Sequence, residues 1–154
     1  MQKEKKQISK QVSVLAIEPK EIEKYWNLVE FFIRQGIKYE DNWISVPLFK
    51  KYLKENSYQL FIMFGSDDGE KHKVFGTFVT RITALPNFKQ VEVVLLAGEK
   101  RELWQDEVSE MLEHIAVQYD CKRIAIFARK GWERFLNSIG WETKRYLFTK
   151  EIKK

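Results

Sequence analysis

The chain has 154 residues, of which 44% are hydrophobic and 14% aromatic. A chain of this length and apolar content can bury one core, so a single folded domain is expected rather than a disordered chain. No apolar run approaches the roughly 20 residues of a membrane helix, and no membrane partner is expected. The formal net charge is +5, but basic and acidic side chains are interleaved along most of the sequence. No nucleic-acid-binding motif is recognised, so nucleic acid is not an expected partner.

The start of the chain and its few cysteine and histidine residues indicate which compartment and which metal sites to expect. Residues 1–11, "MQKEKKQISKQ", are charged and lack the apolar stretch of a signal peptide. They predict a basic flexible tail, with the folded domain spanning residues 12–154. Cys121 is the only cysteine, so no internal disulfide can form and a reducing, cytoplasmic compartment is expected. His72 and His114 are far apart and have no Cys/His cluster beside them, so no metal is expected.

Hydrophobic periodicity predicts the secondary structure in chain order. A short strand over residues 12–17 precedes two amphipathic helices, the first ending at Gly36 as its C-cap and the second opening at Ser45. Three apolar stretches rich in β-branched residues then predict three strands. A sustained helical period from Trp104, a short strand, a short helix ending at Gly140 and an alternating strand complete the chain. The order β-α-α-β-β-β-α-β-α-β predicts the α/β (α+β) class, with a mixed, mostly antiparallel sheet in one domain.

This order of elements resembles the GNAT superfamily of N-acetyltransferases over nearly the whole chain, roughly from Val12 to Ile152. The last third carries most of the resemblance. The superfamily has there a strand, a short helix ending in Gly plus an aromatic residue, and a final strand. The corresponding stretches are "RIAIFA", "GWERFLNSIGW" and "ETKRYLFTKEI". The stretch "ARKGWERFLNSIGW" also resembles small GNAT-like proteins encoded by tailed phages.

The resemblance implies acetyl-CoA as cofactor, bound in a cleft where the fourth and fifth strands part. Backbone groups of the fourth strand would pair with the pantetheine arm, and the N-terminus of the next helix would hold the pyrophosphate. The implied cofactor-binding residues are Val94, Leu95, Leu96, Gly98, Lys100 and Arg101. Acidic residues crowd the phosphate position, namely Glu99, Glu102, Asp106 and Glu107. Their charge would weaken CoA binding, although carboxylates also stabilise the first turn of any helix.

The resemblance also directs attention to the acid and base of an acyl transfer. The superfamily often has a Tyr acid four residues before the Gly of the Gly-aromatic hinge, and this chain has Leu136 there. Leu cannot protonate a thiolate, so Tyr146 on the last predicted strand is the candidate replacement. Glu92, on the fourth predicted strand, is the candidate general base, acting on an amine through water. Glu92 also fits a second interpretation, as the solvent-facing residue of an alternating strand.

Two functions remain open at this point. The first is an N-acyltransferase that moves an acetyl group from acetyl-CoA to an amine, which requires proximity and backbone polarisation of the thioester. The alternative is a GNAT-fold protein that has lost catalysis and serves as a binding or structural component, with a phage as its source. The acidic phosphate position favours the alternative, and the strand-helix-strand order favours the transferase.

Overall fold

The computed structural model describes residues 12–67 and 71–153. The predicted tail, residues 1–11, lies outside the described residues. Five strands are formed, namely β1 (Val12–Ile17), β2 (Gln59–Gly65), β3 (Lys73–Ala84), β4 (Lys89–Gly98) and β5 (Arg123–Ile126). The α-helices of the described residues are α1 (Ile22–Tyr39), α2 (Val46–Lys54), α3 (Gln105–Gln118) and α4 (Glu133–Ser138). Short 3-10 turns precede three of them, at Pro19–Glu21, Arg101–Leu103 and Lys130–Trp132.

The strands form one sheet in sequence order, β1-β2-β3-β4-β5. The first four are antiparallel neighbours joined in sequence, whereas β5 pairs in parallel with β4. A parallel pair needs a crossover connection, and α3 supplies it. The predicted α+β domain with a mixed, mostly antiparallel sheet is confirmed.

Helices cover both faces of the sheet and create two cores. On one face α1 and α2 bury Ile33, Phe49 and Leu60. On the other face α3 covers Phe78 and Val91. Because both faces of the central strands are buried, those strands read as nearly continuous apolar runs rather than as alternating ones. None of the helices in the described part of the chain combines the length and apolarity that a membrane crossing requires.

The predicted end of α1 at Gly36 is wrong, because the helix continues to Tyr39. Gly36 is instead a packing residue. A Cβ at this position would lie 2.8 Å from the side chain of Leu95 on β4. Glycine therefore lets α1 lie closer to the sheet than any other residue would allow.

The last predicted strand is also wrong for this structure. Residues 142–152 follow α4 without regular secondary structure, although "ETKRYLFTKEI" has the alternation of a strand. Their large apolar side chains are exposed, with Phe148 at 89% and Leu147 at 82%. β5 is consequently the edge of the sheet. An alternating sequence forms a strand only when it pairs, and these residues do not pair with the open edge of β5.

The ends of β3 and β4 approach each other closely at a pair of glycines, and this contact gives a test of the fold. Gly76 is the sheet partner of Gly98. A Cβ at Gly76 would lie 2.4 Å from the carbonyl oxygen of Ala97 and 2.6 Å from the Cα of Gly98. Because both neighbours are backbone atoms, Gly76→Ala should lower the free energy of unfolding by about 1–3 kcal/mol.

Urea unfolding measures this loss, and Gly131→Ala is the matched control. A Cβ at Gly131 would meet nothing within 4 Å. That variant should therefore unfold within about 0.5 kcal/mol of the parent protein, as a surface change does. Equal stability of the two variants would contradict the close approach of β3 and β4.

Candidate active site

The site begins where β4 and β5 part. Their pairing runs from Gln90 with Arg123 to Val93 with Ile126 and then ends. β4 continues to Gly98, and in the described residues no strand pairs with this stretch on the side of β5. The backbone N–H and C=O groups on that side are therefore available to a ligand.

An irregularity in β4 lies at the same point. Leu95 is opposite Val79 and Val93 is opposite Thr80, so Val94 is an extra residue in β4. The extra residue reverses the alternation of side chains. Val93 packs in the core under α3, whereas Leu95, two positions later, packs in the core under α1. Such bulges are frequent beside active sites because they redirect the strand.

An apolar cleft opens on the α3 face where the strands part. The space in it that a water-sized molecule can reach is about 40 Å³, so the cleft is narrow. Val93, Leu96 and Ile126 form the sheet side of the cleft, and α3 and α4 form its walls. The α4 side contributes aromatic and aliphatic residues, namely Trp132, Phe135, Leu136, Ile139 and Trp141. Leu136, at the position where the superfamily often has its Tyr acid, thus faces this cleft with an aliphatic side chain.

Arg101 lies at the mouth of the cleft. Its guanidinium carbon is 4.3 Å from the ring centroid of Phe135 and 5.1 Å from that of Trp132. These are cation–π distances, each contact contributing on the order of 0.5–1 kcal/mol at an exposed site. The side chain therefore ties the start of the crossover connection to α4.

The rest of the connection between β4 and α3 is fixed by local contacts. Lys100 has a left-handed backbone, with φ of 54°, and forms an ion pair with Asp67. The indole N–H of Trp104 donates a hydrogen bond of 2.7 Å to the carbonyl oxygen of Glu99. The Glu99 carboxylate in turn lies 3.1 Å from the amine of Lys73. The loop is thus held in one conformation by its own side chains.

These residues suit the pantetheine arm of an acyl-CoA better than its phosphate end. The unpaired side of β4 suits the extended, amide-containing pantetheine arm, whereas the narrow apolar cleft would have to widen to take it. The phosphate end fits less well, because Asp106 and Glu107 occupy the first turn of α3. Their charge opposes the attraction that a helix N-terminus exerts on phosphate. Lys100 and Arg101 bring two positive charges to the same place.

Glu92 lies on the opposite face of the sheet from the cleft. Its side chain is only 7% exposed and forms an ion pair with Arg81, its cross-strand neighbour on β3. The hydroxyl of Tyr58 is near this pair. Burial raises the pKa of Tyr58, and the negative charge of Glu92 adds to the effect while Arg81 opposes it. A buried carboxylate therefore lies two residues before the bulge, on the face covered by α1 and α2.

A second acidic group lies where α1 ends. Burial raises the pKa of Glu40, and the Arg129 guanidinium beside it opposes that rise. The guanidinium carbon of Arg129 lies 4.5 Å from the ring centroid of Tyr39. The end of α1 is thus in contact with the chain that leaves β5, beside the point where β4 and β5 part.

The predicted site residues other than Glu92 fall into three groups. Val94, Leu96 and Gly98 lie in the stretch of β4 that extends beyond β5, while Leu95 is buried against α1. Lys100 and Arg101 lie in the connection to α3. Tyr146 is 70% exposed, in the segment after α4.

The sequence alone does not reveal which side chains contact these residues. Arg81 and Tyr58 belong to other strands or turns, and only the register of β3 against β4 brings Arg81 beside Glu92. The contact of Arg101 with Phe135 likewise has no signal in the sequence, because α4 is distant from Arg101 along the chain. Within residues 12–67 and 71–153, no cluster of three or more His, Cys, Asp or Glu side chains is arranged to hold a metal ion.

Comparison with known proteins gives structural relatives only. No protein-family profile matches the sequence. No curated protein matches it either. A probable acetyltransferase of known structure superposes with a TM-score of 0.66 at 12% identity, covering 92% of this chain and 98% of its own.

Two further solved structures superpose on this chain to a similar extent. An aminoglycoside acetyltransferase from an uncultured soil metagenomic sample, solved with sisomicin, gives a TM-score of 0.64 at 13% identity and covers 95% of this chain and 99% of its own. A GNAT family acetyltransferase from Staphylococcus aureus gives 0.60 at 14% identity, covering 92% and 99%. The fold of this chain is that of the GNAT acetyltransferases, as the order of elements predicted.

The pKa of Glu40 gives a pH-dependent test of this region. Since its pKa is raised in the folded protein, the folded state holds the proton more tightly than the unfolded state. Stability contributed by Glu40 is therefore lost as pH rises from its ordinary value of 4.5 through the raised value. Glu40→Gln should stabilise the protein at pH 7, and the gain should disappear below about pH 4, where the carboxyl is protonated in both states.

Thermal unfolding at several pH values checks this expectation. Glu113→Gln, a change at an exposed carboxylate of α3, controls for the loss of one negative charge. The same pH-dependent gain in both variants would show that net charge, rather than burial of Glu40, is responsible.

Proposed function

We propose that this protein is an N-acyltransferase that moves an acetyl group from acetyl-CoA to an amine. The observation that carries the proposal is the parting of β4 from β5 at the bulged residue Val94. A donor on the α3 face and an acceptor on the α1 face would meet at this point, where the two strands no longer pair. Two-substrate transfer needs such a passage, because proximity and orientation supply much of the rate.

The α3 face suits the donor. When bound, acetyl-CoA supplies a thioester carbonyl that an amine can attack. The unpaired side of β4, from Val94 to Gly98, would hold the pantetheine arm through backbone hydrogen bonds. Backbone N–H groups on this stretch would also polarise the carbonyl, as preorganised donors do in other acyl transfers. Lys100 and Arg101 would carry part of the phosphate charge.

The α1 face suits a cationic amine. Glu92 is a carboxylate on this face, one residue before the pairing of β4 with β5 ends, and Glu40 at the end of α1 lies near Arg129, which follows β5. Glu92 would accept the proton of the attacking amine through a water, with Arg81 holding its carboxylate in place. One structural relative, an aminoglycoside acetyltransferase, was solved in complex with sisomicin, an amine-rich molecule. An aminoglycoside is therefore a suitable first acceptor to assay.

The leaving thiolate needs a proton from another source than Leu136. Tyr146 stays our prediction for that acid. Its exposure of 70% in a single chain means that it would act only after residues 142–152 approach the cleft. Solvent is the other proton source. A thiolate is a good leaving group, so it can depart first and take its proton from water afterwards.

The specific observation that favours the alternative function is the acidic first turn of α3. If Asp106 and Glu107 exclude phosphate, the fold would serve as a binding or structural component without catalysis. The two functions differ first in whether acetyl-CoA binds. In a thermal-shift titration, acetyl-CoA at 100 times its Kd should stabilise the protein by about 2.7 kcal/mol. No stabilisation at millimolar acetyl-CoA would favour the binding or structural protein.

The role of the two cations has its own test by calorimetry. The double change Lys100→Ala with Arg101→Ala should weaken acetyl-CoA binding, and more so at low salt, because screening is then weaker. Acetyl-pantetheine, which lacks the pyrophosphate, should bind the double variant and the parent equally. Lys20→Ala with Lys24→Ala, at the far start of α1, removes the same charge and should leave both affinities unchanged. A parallel loss of acetyl-pantetheine binding would show damage to the cleft instead.

Glu92→Gln tests the proposed base. The change keeps the shape of the side chain but removes its ability to accept a proton. Loss of a positioned base typically lowers the rate on the order of a hundredfold or more, and kcat should fall without a matching change in the Kd of acetyl-CoA. A normal rate in this variant would leave Glu92 only a structural ion-pair partner of Arg81.

A further inference from the structure

The face of the sheet that carries Glu92 is polar toward the start of β4. Gln90 lies two residues before Glu92 and therefore on the same face. The sheet register places Thr83 on one side of Gln90 and Arg123 on the other. Residues two apart on a strand are separated by roughly 7 Å, so Arg123 lies one row away from Glu92. The side chain of Arg81, in the row of Glu92, is 45% exposed, so solvent reaches this end of the face.

Arg123 is held in a defined orientation by two contacts. Its Nε–H donates a hydrogen bond of 2.7 Å to the amide oxygen of Gln90, a side chain that is itself buried. Its guanidinium carbon lies 4.7 Å from the ring centroid of Phe88, in the turn between β3 and β4. In the described part of the chain, no hydrogen bond or ion pair engages its two terminal nitrogens. A guanidinium fixed in this way offers a planar fork of N–H donors that binding does not have to order first.

Three positive charges gather around this guanidinium. The amine of Lys122 lies 5.2 Å from the centroid of the same Phe88 ring. The backbone N–H of Lys122 donates a hydrogen bond of 2.9 Å to the carbonyl oxygen of Lys89, so the two lysines are neighbours at the start of β4 and β5. Among the side chains that the structure describes, no carboxylate forms an ion pair with Lys89, Lys122 or Arg123. The local potential is therefore positive and favours an anion.

We propose that the acceptor amine also carries a carboxylate, and that Arg123 binds this carboxylate while the amine lies beside Glu92. The inference rests on the proposed transferase, because it takes Glu92 as the base. The fork of a guanidinium matches the two oxygens of a carboxylate, and hydrogen bonds between ionised groups are the strong ones. Arg81 is already paired with Glu92, so Arg123 is the cation that remains for the ligand. We call Arg123, with Gln90 behind it, the carboxylate site.

The spacing of the two rows defines the substrate class further. An amine beside Glu92 and a carboxylate on Arg123 are separated by roughly 7 Å, the distance between residues two apart on a strand. A chain of about four carbons between the two groups spans most of this distance. A polycation such as an aminoglycoside would instead bring its further amines toward Lys89, Lys122 and Arg123, and like charges repel. The expected acceptor is thus a small amino acid whose amine and carboxylate are several bonds apart.

Binding of three four-carbon amines tests the carboxylate site without requiring turnover. 4-Aminobutyrate has an amine and a carboxylate, butylamine has the amine alone, and 1,4-diaminobutane has a second amine. In titrations followed by NMR of ¹⁵N-labelled protein, 4-aminobutyrate should bind at least about tenfold more tightly than the other two, because a hydrogen bond to a charged group contributes about this much. It should also shift the side-chain N–H signals of Arg123 and Gln90. Equal Kd values for the three amines would refute the proposal.

Two substitutions at the carboxylate site and one control locate the preference. Arg123→Gln should raise the Kd of 4-aminobutyrate to that of butylamine. Gln90→Glu keeps Arg123 but gives it a carboxylate of the protein as partner, so the preference should disappear there too. Arg134→Gln, at an exposed arginine of α4, should leave all three Kd values unchanged. A preference that survives in Gln90→Glu, or in a folded Arg123→Gln protein, would show that the carboxylate binds elsewhere.

Acetyl transfer to the same three amines separates this inference from the proposed function. The expected result is the highest kcat/KM for 4-aminobutyrate, with Arg123→Gln raising its KM and leaving kcat nearly unchanged. Equally efficient transfer to all three amines would keep the transferase and reject the carboxylate site. Preferential binding of 4-aminobutyrate without any transfer would keep the carboxylate site and reject the transferase.

Discussion

The extra residue of β4 at Val94 is the constraint on which the arrangement of the site depends. Because it reverses the alternation of side chains, Val93 faces α3 and Leu95 faces α1. The same irregularity marks the end of pairing with β5, so the sheet opens where the alternation changes. The cleft and the unpaired backbone begin at this position, whereas Glu92, two residues before it, faces α1 by the regular alternation with Val91 and Val93.

Much of the fold could be predicted from the sequence, because burial on both faces of the sheet gives continuous apolar runs and α1 has a clear helical stripe. The errors arose where a residue serves a tertiary contact. A glycine such as Gly36 is typical of a helix end, but here the absence of a side chain lets the helix pack closely against Leu95. Residues 142–152 have the pattern of a strand, but a pattern does not specify which edge the strand pairs with.

Less of the candidate site could be predicted. Apart from Glu92, the run "VEVVLLAG" is apolar, so nothing in it reveals that Val94 is unpaired with β3. The family resemblance directed attention to Glu92 and Arg101 by position alone. Their partners, Arg81 on β3 and Phe135 on α4, depend on strand register and on the packing of α4. Such contacts between distant parts of the chain have no local signal in a single sequence.

The stacking of Arg101 on Phe135 does not engage the edge of its guanidinium. The ring covers the face of the plane, whereas hydrogen bonds to a phosphate use the N–H groups at the edge, so one side chain can make both contacts. A phosphate-bearing ligand at this place would therefore be joined to α4 through Arg101. Binding of such a ligand and docking of α4 would then favour each other, which is positive coupling between the two.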